Sequence, residues 1–63
     1  MDKYKLEYEI KRNGMTVEVF CKSLGISRSA YYRKCSGVSE FTQGEIQKAM
    51  DVLKLESPVG VFF

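Results

Sequence analysis

A chain of 63 residues is long enough for one domain and lies near the lower limit at which a hydrophobic core alone stabilises a fold. An apolar fraction of 44% argues against intrinsic disorder, no apolar run reaches the length of a membrane span, and no signal-peptide pattern is present. Two cysteines and no histidine are too few for a structural zinc site or a disulfide scaffold. We therefore expect one domain over residues 1–63 with reduced thiols, no bound metal and a cytoplasmic location.

The net charge is only +2, but the cations are unevenly distributed along the chain. Residues 19–39 carry no acid and four cations, which are Lys22, Arg28, Arg33 and Lys34. This stretch therefore has a charge of +4, and the rest of the chain sums to −2. A local excess of positive charge is typical of a surface that binds nucleic-acid phosphates, although such charges also simply solvate the surfaces of short helices.

Residues 2–13 are compatible with two secondary structures. Their apolar residues alternate with charged ones as in a β-strand: Tyr4, Leu6, Tyr8 and Ile10. Asn13-Gly14 then follows as a hairpin signal, which predicts a β-hairpin from Tyr4 to Phe20. The same apolar residues also form pairs spaced four apart, as on the side of a helix, with Asp2 at its start and Asn13-Gly14 at its end. The hairpin leaves Thr16 and the Gly25-Ile26-Ser27 step without a role, which counts against it.

Residues 16–37 have the pattern of two short helices joined by a tight turn. Thr16 is a suitable N-cap for the first helix, and Gly25 can adopt the left-handed backbone that ends it. Ser27 then offers a second N-cap, and Arg28 to Ser36 follows without proline or glycine. Two capped helices joined at a glycine turn are typical of a helix-turn-helix, whose second helix enters a DNA groove.

This stretch resembles the helix-turn-helix of small phage-type repressors of the Cro/CI (XRE) family. The matching residues are Thr16, Cys21, Leu24, Gly25, Ile26, Ser27, Arg28 and Ser29, followed by Tyr31-Tyr32-Arg33-Lys34 before a Ser-Gly pair. Cys21 departs from the family, which usually has alanine there, but both residues are small.

The resemblance implies a compact all-α domain of four helices, similar to the lambda repressor, with a short extended C-terminal tail. This is the main reason for favouring the helix over the hairpin at residues 2–13. It also implies a transcriptional repressor or regulator, derived from a phage or mobile element, that binds double-stranded DNA sequence-specifically in a bacterial cell or phage-infected host. Neither a cofactor nor a small-molecule substrate is expected.

The second helix, at about Ser27–Ser36, is expected to present one side to DNA, while Ala30, Tyr31 and Cys35 face the core. Arginine can donate two parallel hydrogen bonds to guanine, and residues near the start of the helix reach base edges most easily. The predicted base-contacting residues are Arg28, Ser29 and Tyr32. The predicted phosphate-contacting residues are Thr16, Lys22, Ser27, Arg33 and Lys34, either through a positive charge or through free amides at a helix start.

The C-terminal part predicts one more helix and a tail. Thr42 and Glu45 have the spacing of a capping box, so a helix is expected from Gln43 to about Leu53. Pro58 prevents the tail from continuing this helix. We favour a tail that completes the core, and the alternative is a homodimer through residues 59–63, with Val59, Val61 and Phe63 on one face of an extended segment.

An enzymatic function is not expected from this sequence. It contains no histidine, no serine beside an evident base, and no carboxylates at a useful catalytic spacing. The alternative to DNA binding is a protein-interaction module, similar to an antirepressor or antitoxin, built on a helix-turn-helix scaffold. The low net charge and the apolar end of the chain favour this alternative, whereas the acid-free basic stretch favours DNA.

Overall fold

The computed structural model describes all 63 residues and contains four helices and no strand. The helices are α1 (Lys3–Arg12), α2 (Val17–Leu24), α3 (Arg28–Cys35) and α4 (Gln43–Leu53). The predicted all-α fold of four helices is therefore confirmed, and the hairpin alternative is wrong. A strand would place all four apolar residues of the first segment on one side. Instead, Leu6 and Ile10 are buried while Tyr4 and Tyr8 are exposed, because α1 turns the two pairs in different directions.

Each helix begins at a side chain that caps its free amides. Asp2 accepts hydrogen bonds from the amides of Tyr4 and Lys5, each at 3.1 Å. At the other three helices a hydroxyl oxygen accepts one amide hydrogen bond: Thr16 from Val19 at 3.2 Å, Ser27 from Ala30 at 3.0 Å and Thr42 from Glu45 at 3.1 Å. The boundaries of α2, α3 and α4 are thus determined by local chemistry that is visible in the sequence.

The turn between α2 and α3 depends on Gly25, whose φ of 75° lies in the left-handed region. A Cβ atom would be strained at this angle, so glycine is the residue best suited to end α2 here. The amide of Ile26 donates to the carbonyl oxygen of Cys21 at 3.1 Å, which closes the end of α2. The N-cap of α3, Ser27, follows Gly25 by two residues, and the turn lets α3 pack against α2.

The core lies around α2, which packs against each of the other three helices. Its buried apolar residues are Leu6, Ile10, Phe20, Cys21, Leu24, Tyr31, Ala49, Leu53, Val61 and Phe62. The Phe20 ring is fully buried and meets the Tyr31 ring edge-on, with 6.2 Å between the ring centroids. The prediction that Tyr31 faces the core while Tyr32 lies on the outer side of the helix is confirmed, because Tyr31 is 1% exposed and Tyr32 is 51% exposed.

The end of α1 is tied to the end of α4 by one side chain. The Asn13 side-chain amide donates to the carbonyl oxygen of Glu9 at 2.8 Å and to that of Leu53 at 3.1 Å. It therefore adds a second hydrogen bond to the Glu9 carbonyl, which also accepts the Asn13 backbone amide at 3.2 Å, and provides a donor for the Leu53 carbonyl at the end of α4. Asn13 thus ends α1 as predicted and also joins two helices that are distant in sequence.

The structure corrects the predicted extended tail, because residues 58–62 form a tight turn. The amide of Phe62 donates to the carbonyl oxygen of Pro58 at 2.9 Å, and Val61 accepts from the Asp2 amide at 2.9 Å. The turn buries Val61 and Phe62 while Val59 and Phe63 remain exposed. The residues proposed for a dimer strand therefore do not share a face, and the favoured interpretation of the tail as part of the core is confirmed.

Phe62→Ala is expected to lower the free energy of unfolding by about 2–3 kcal/mol, near the low end for a buried phenylalanine. Phe62 is 7% exposed and meets the Phe41 ring edge-on at 5.3 Å. Phe63→Ala is the matched control, because the neighbouring ring is 73% exposed. Urea denaturation followed by circular dichroism measures both variants. Equal destabilisation by the two substitutions would contradict the structural role of the turn.

Candidate nucleic-acid interface

The outer side of α3 brings together the residues predicted to contact bases. Arg28, Ser29, Tyr32 and Arg33 are all exposed, and their spacing places them along one side of the helix. None of the four belongs to the buried core. The Tyr32 ring lies edge-on to the buried Tyr31 ring, with 5.3 Å between the centroids. α3 therefore presents a polar and aromatic face whose position is determined by core packing beneath it.

Arg28 is the residue on this face best suited to read a base. The neighbouring Tyr32 hydroxyl raises the pKa of its guanidinium above the usual value, so Arg28 is positively charged at every pH relevant to folding. It belongs to no ion pair. An exposed guanidinium in the first turn of α3 is free to donate two parallel hydrogen bonds to one acceptor edge.

The helix starts of α2 and α3 provide the neutral part of the candidate phosphate contacts. Thr16 and Ser27 are exposed, and each hydroxyl oxygen accepts one amide hydrogen bond of its own helix. The amides at the first two positions of each helix have no intrahelical acceptor. They point out of the helix start, where the helix dipole favours an anion.

Lys34 is not available for the phosphate contact predicted for it. Its ammonium donates to a Glu45 carboxylate oxygen at 3.0 Å and to the Glu40 carbonyl oxygen at 3.1 Å. The Lys34 side chain is only 12% exposed, and its ammonium lies 5.7 Å from the centroid of the Phe41 ring. Lys34 therefore joins the end of α3 to the start of α4, because a partly buried cation needs a charged partner.

Glu45 is the acidic partner in this junction and also closes the capping box of α4. Burial raises the pKa of the Glu45 carboxyl, but the hydrogen bond from the Thr42 amide and the Lys34 ammonium outweigh it, so the net shift is downward. The Thr42 amide donates to the same carboxylate oxygen at 2.8 Å. A lowered pKa means that the ionised form of Glu45 stabilises the folded state.

Acid is therefore expected to destabilise the domain through Glu45. The stabilisation is fully present above the unfolded pKa of about 4.3 and is lost as the pH falls through the lower folded pKa. Glu45→Gln keeps the cap geometry but removes this titration, so its stability should depend less on pH between about pH 5 and pH 3. Thermal unfolding across that range measures the difference. Glu56→Gln, at an exposed carboxylate, is the control, and an identical pH dependence in the two variants would contradict this role.

The basic face formed by Lys22, Arg28 and Arg33 also contains one acid, Glu18, which lies outside the acid-free stretch of the sequence. Glu18 lies one residue before the acid-free stretch, and α2 places its carboxylate 3.7 Å from the Lys22 ammonium. The spacing of four residues on a helix is a pattern from which this pair could have been found. With Lys34 withdrawn, the face has three cations and one acid, so its net charge is +2 rather than the predicted +4.

The two thiols lie behind this face and are neutral at ordinary pH. Burial raises the pKa of the Cys21 thiol, and burial likewise raises that of the Cys35 thiol. A raised pKa leaves little thiolate for nucleophilic chemistry. No group of three or more acids and cysteines is close enough to hold a metal ion, and no helix is long and apolar enough to cross a membrane.

Comparison with known proteins returns no match. No protein-family model fits the chain, and no curated protein or solved structure is significantly similar to it.

Proposed function

We propose that this chain is a DNA-binding protein of the Cro/CI type, which acts in the cytoplasm as a transcriptional repressor or regulator of phage or mobile-element origin. It places α3 in the major groove of double-stranded DNA. Arg28, Ser29 and Tyr32 contact base edges, while Lys22, Arg33 and the helix starts at Thr16 and Ser27 contact phosphates. It requires no cofactor and performs no catalysis.

One observation carries this proposal: α2 and α3 are capped helices joined at a left-handed glycine, and α3 exposes a face that the core does not use. Arg28 and Arg33 lie on that face without an ionic partner. A helix that served only to bury apolar surface would contribute more than Tyr31 to the fully buried set. The exposed arginines therefore support a role in binding, and their chemistry matches guanine edges and phosphates.

Two copies of the domain bind DNA together in this proposal. One short recognition helix reads few bases, and dimers usually bind half-sites about one helical turn apart. Residues 58–62 form a turn, so this pairing does not use a strand of residues 59–63. Exposed Val59 and Phe63 leave a homodimer through tail side chains as part of the proposal.

A protein-interaction module is the second candidate, and a cleft whose lining is half apolar supports it. The cleft, of about 280 Å³, is open to solvent and lies between the loop after α3 and the tail. Its apolar lining residues are Met1, Phe41, Phe62 and Phe63. A partner that inserted an apolar side chain there would bind without using α3.

Binding of a fluorescent random-sequence duplex at several salt concentrations tests the proposal. Phosphate binding weakens with salt, by a slope of about −0.9 per neutralised phosphate in a double-logarithmic plot. One copy of the domain has three cations on this face, Lys22, Arg28 and Arg33, so its slope should be no steeper than about −3. Salt-dependent binding supports the DNA proposal. Absence of binding even at low salt would reject it and favour the protein-interaction module, whose apolar contact should be insensitive to salt.

A further inference from the structure

Glu18 is the only acid on the proposed DNA-binding face, and it forms an ion pair with one cation of that face, Lys22. Its carboxylate lies 3.7 Å from the Lys22 ammonium, in a pair whose side chains are 61% and 78% exposed. Its negative charge also acts on the Arg28 guanidinium. Glu18 is thus placed among the groups that would meet phosphates, at the start of α2.

We infer that Glu18 limits sequence-independent binding to DNA by opposing the attraction of Lys22 and Arg28 for phosphate. The inference rests on the proposed function and identifies a residue that sets the affinity of the same site for any duplex. Attraction to phosphate is the term that every DNA sequence supplies equally. An acid within this face lowers that term, so a larger share of the affinity comes from base contacts.

A purely structural role for Glu18 predicts a different outcome. A carboxylate in the first turn of a helix interacts favourably with the helix dipole, so Glu18 also suits α2 when no DNA is present. Removal of the charge would then change thermal stability slightly without changing DNA affinity. The two roles are distinguished by the salt dependence of binding, which a structural role does not alter.

The experiment compares Glu18→Gln with Glu56→Gln, which removes the same charge from an exposed residue outside the face. A fluorescent random-sequence duplex is titrated with each full-length variant at about 50 mM and about 200 mM salt. In Glu18→Gln, Lys22 no longer has an acidic partner and contributes one further phosphate contact. The slope of log affinity against log salt concentration should therefore steepen by about 0.9. The advantage of Glu18→Gln over the wild type should then be about three-fold larger at the lower salt concentration.

The contribution of Lys22 is measured by adding Lys22→Ala to both backgrounds. If Glu18 acts through Lys22, most of the steeper slope should disappear in the double variant. Equal DNA affinities and equal salt slopes for Glu18→Gln and Glu56→Gln would overturn the inference. If the wild type still binds DNA in a salt-dependent manner, that result leaves the proposed function intact. Failure of all variants, including the wild type, to bind at low salt would overturn both.

Discussion

Phe20→Ala is expected to abolish cooperative folding. Phe20 is fully buried at the centre of the core, where α2 packs against the other helices. Truncation of such a phenylalanine usually lowers the free energy of unfolding by about 3–5 kcal/mol, through lost apolar burial and the remaining cavity. The hydrophobic core of a domain this small rarely supplies more than about 3–5 kcal/mol of folding free energy. The substitution therefore removes most or all of the stability.

Circular dichroism in a urea titration measures this effect, with Tyr8→Ala as the matched control. Tyr8 is also a helical aromatic residue but is 61% exposed, so its truncation removes little buried surface. We expect a folded control with a sharp transition and a Phe20→Ala variant that has little helix or a broad transition. A cooperative Phe20→Ala variant whose free energy of unfolding lies within about 1 kcal/mol of that of the control would contradict the position of Phe20 at the centre of the core.

The helix starts could be predicted because their signals are local. Thr16, Ser27 and Thr42 each cap the helix expected to follow them, and the predicted reciprocal bonds between Thr42 and Glu45 are present. Gly25 has the predicted left-handed backbone. Caps and turn glycines act over three or four residues, so a single sequence contains all the partners that they need.

The first helix was harder to predict because its apolar residues satisfy two periodicities. The residues from Tyr4 to Ile10 alternate as in a strand and also pair as in a helix, and the packing of Leu6 and Ile10 in the core decides between them. The tail posed a similar problem. Its alternating apolar residues are compatible with an extended segment, but burial of the adjacent Val61 and Phe62 requires a turn.

The charged residues of the candidate site show why sequence position alone could not assign the phosphate contacts. Lys34 belongs to the basic stretch, yet its partner Glu45 is eleven residues away and reaches it only because α4 begins beside the end of α3. The exposure of Arg28 and Arg33 agrees with the predicted polarity of α3. The face therefore has fewer free cations than the sequence indicated, which increases the importance of the two arginines.

Simultaneous replacement of Arg28 and Arg33 by alanine is expected to abolish measurable duplex binding, because only Lys22, already beside Glu18, then remains as a cation of the face. The two single variants should change different properties of binding. Arg28→Ala should weaken binding to a selected operator by about 1–3 kcal/mol and relax the preference at one base pair, as expected for a lost bidentate contact. Arg33→Ala should weaken binding to all sequences alike and reduce the salt slope by about 1.

Selection of binding sites from a random duplex library, followed by anisotropy on the enriched sequence, separates these two effects. Lys48→Ala is the matched control, since Lys48 is an exposed cation on α4 that belongs to no ion pair. It should leave both the base preference and the salt slope unchanged. An unaltered base preference in Arg28→Ala would show that Arg28 does not read sequence. Equal weakening by Lys48→Ala and Arg33→Ala would show that binding follows net charge rather than the outer face of α3. If only Arg28→Ala loses the preference for a base, sequence recognition depends on the first turn of α3. The left-handed turn at Gly25 determines where that turn of the helix lies.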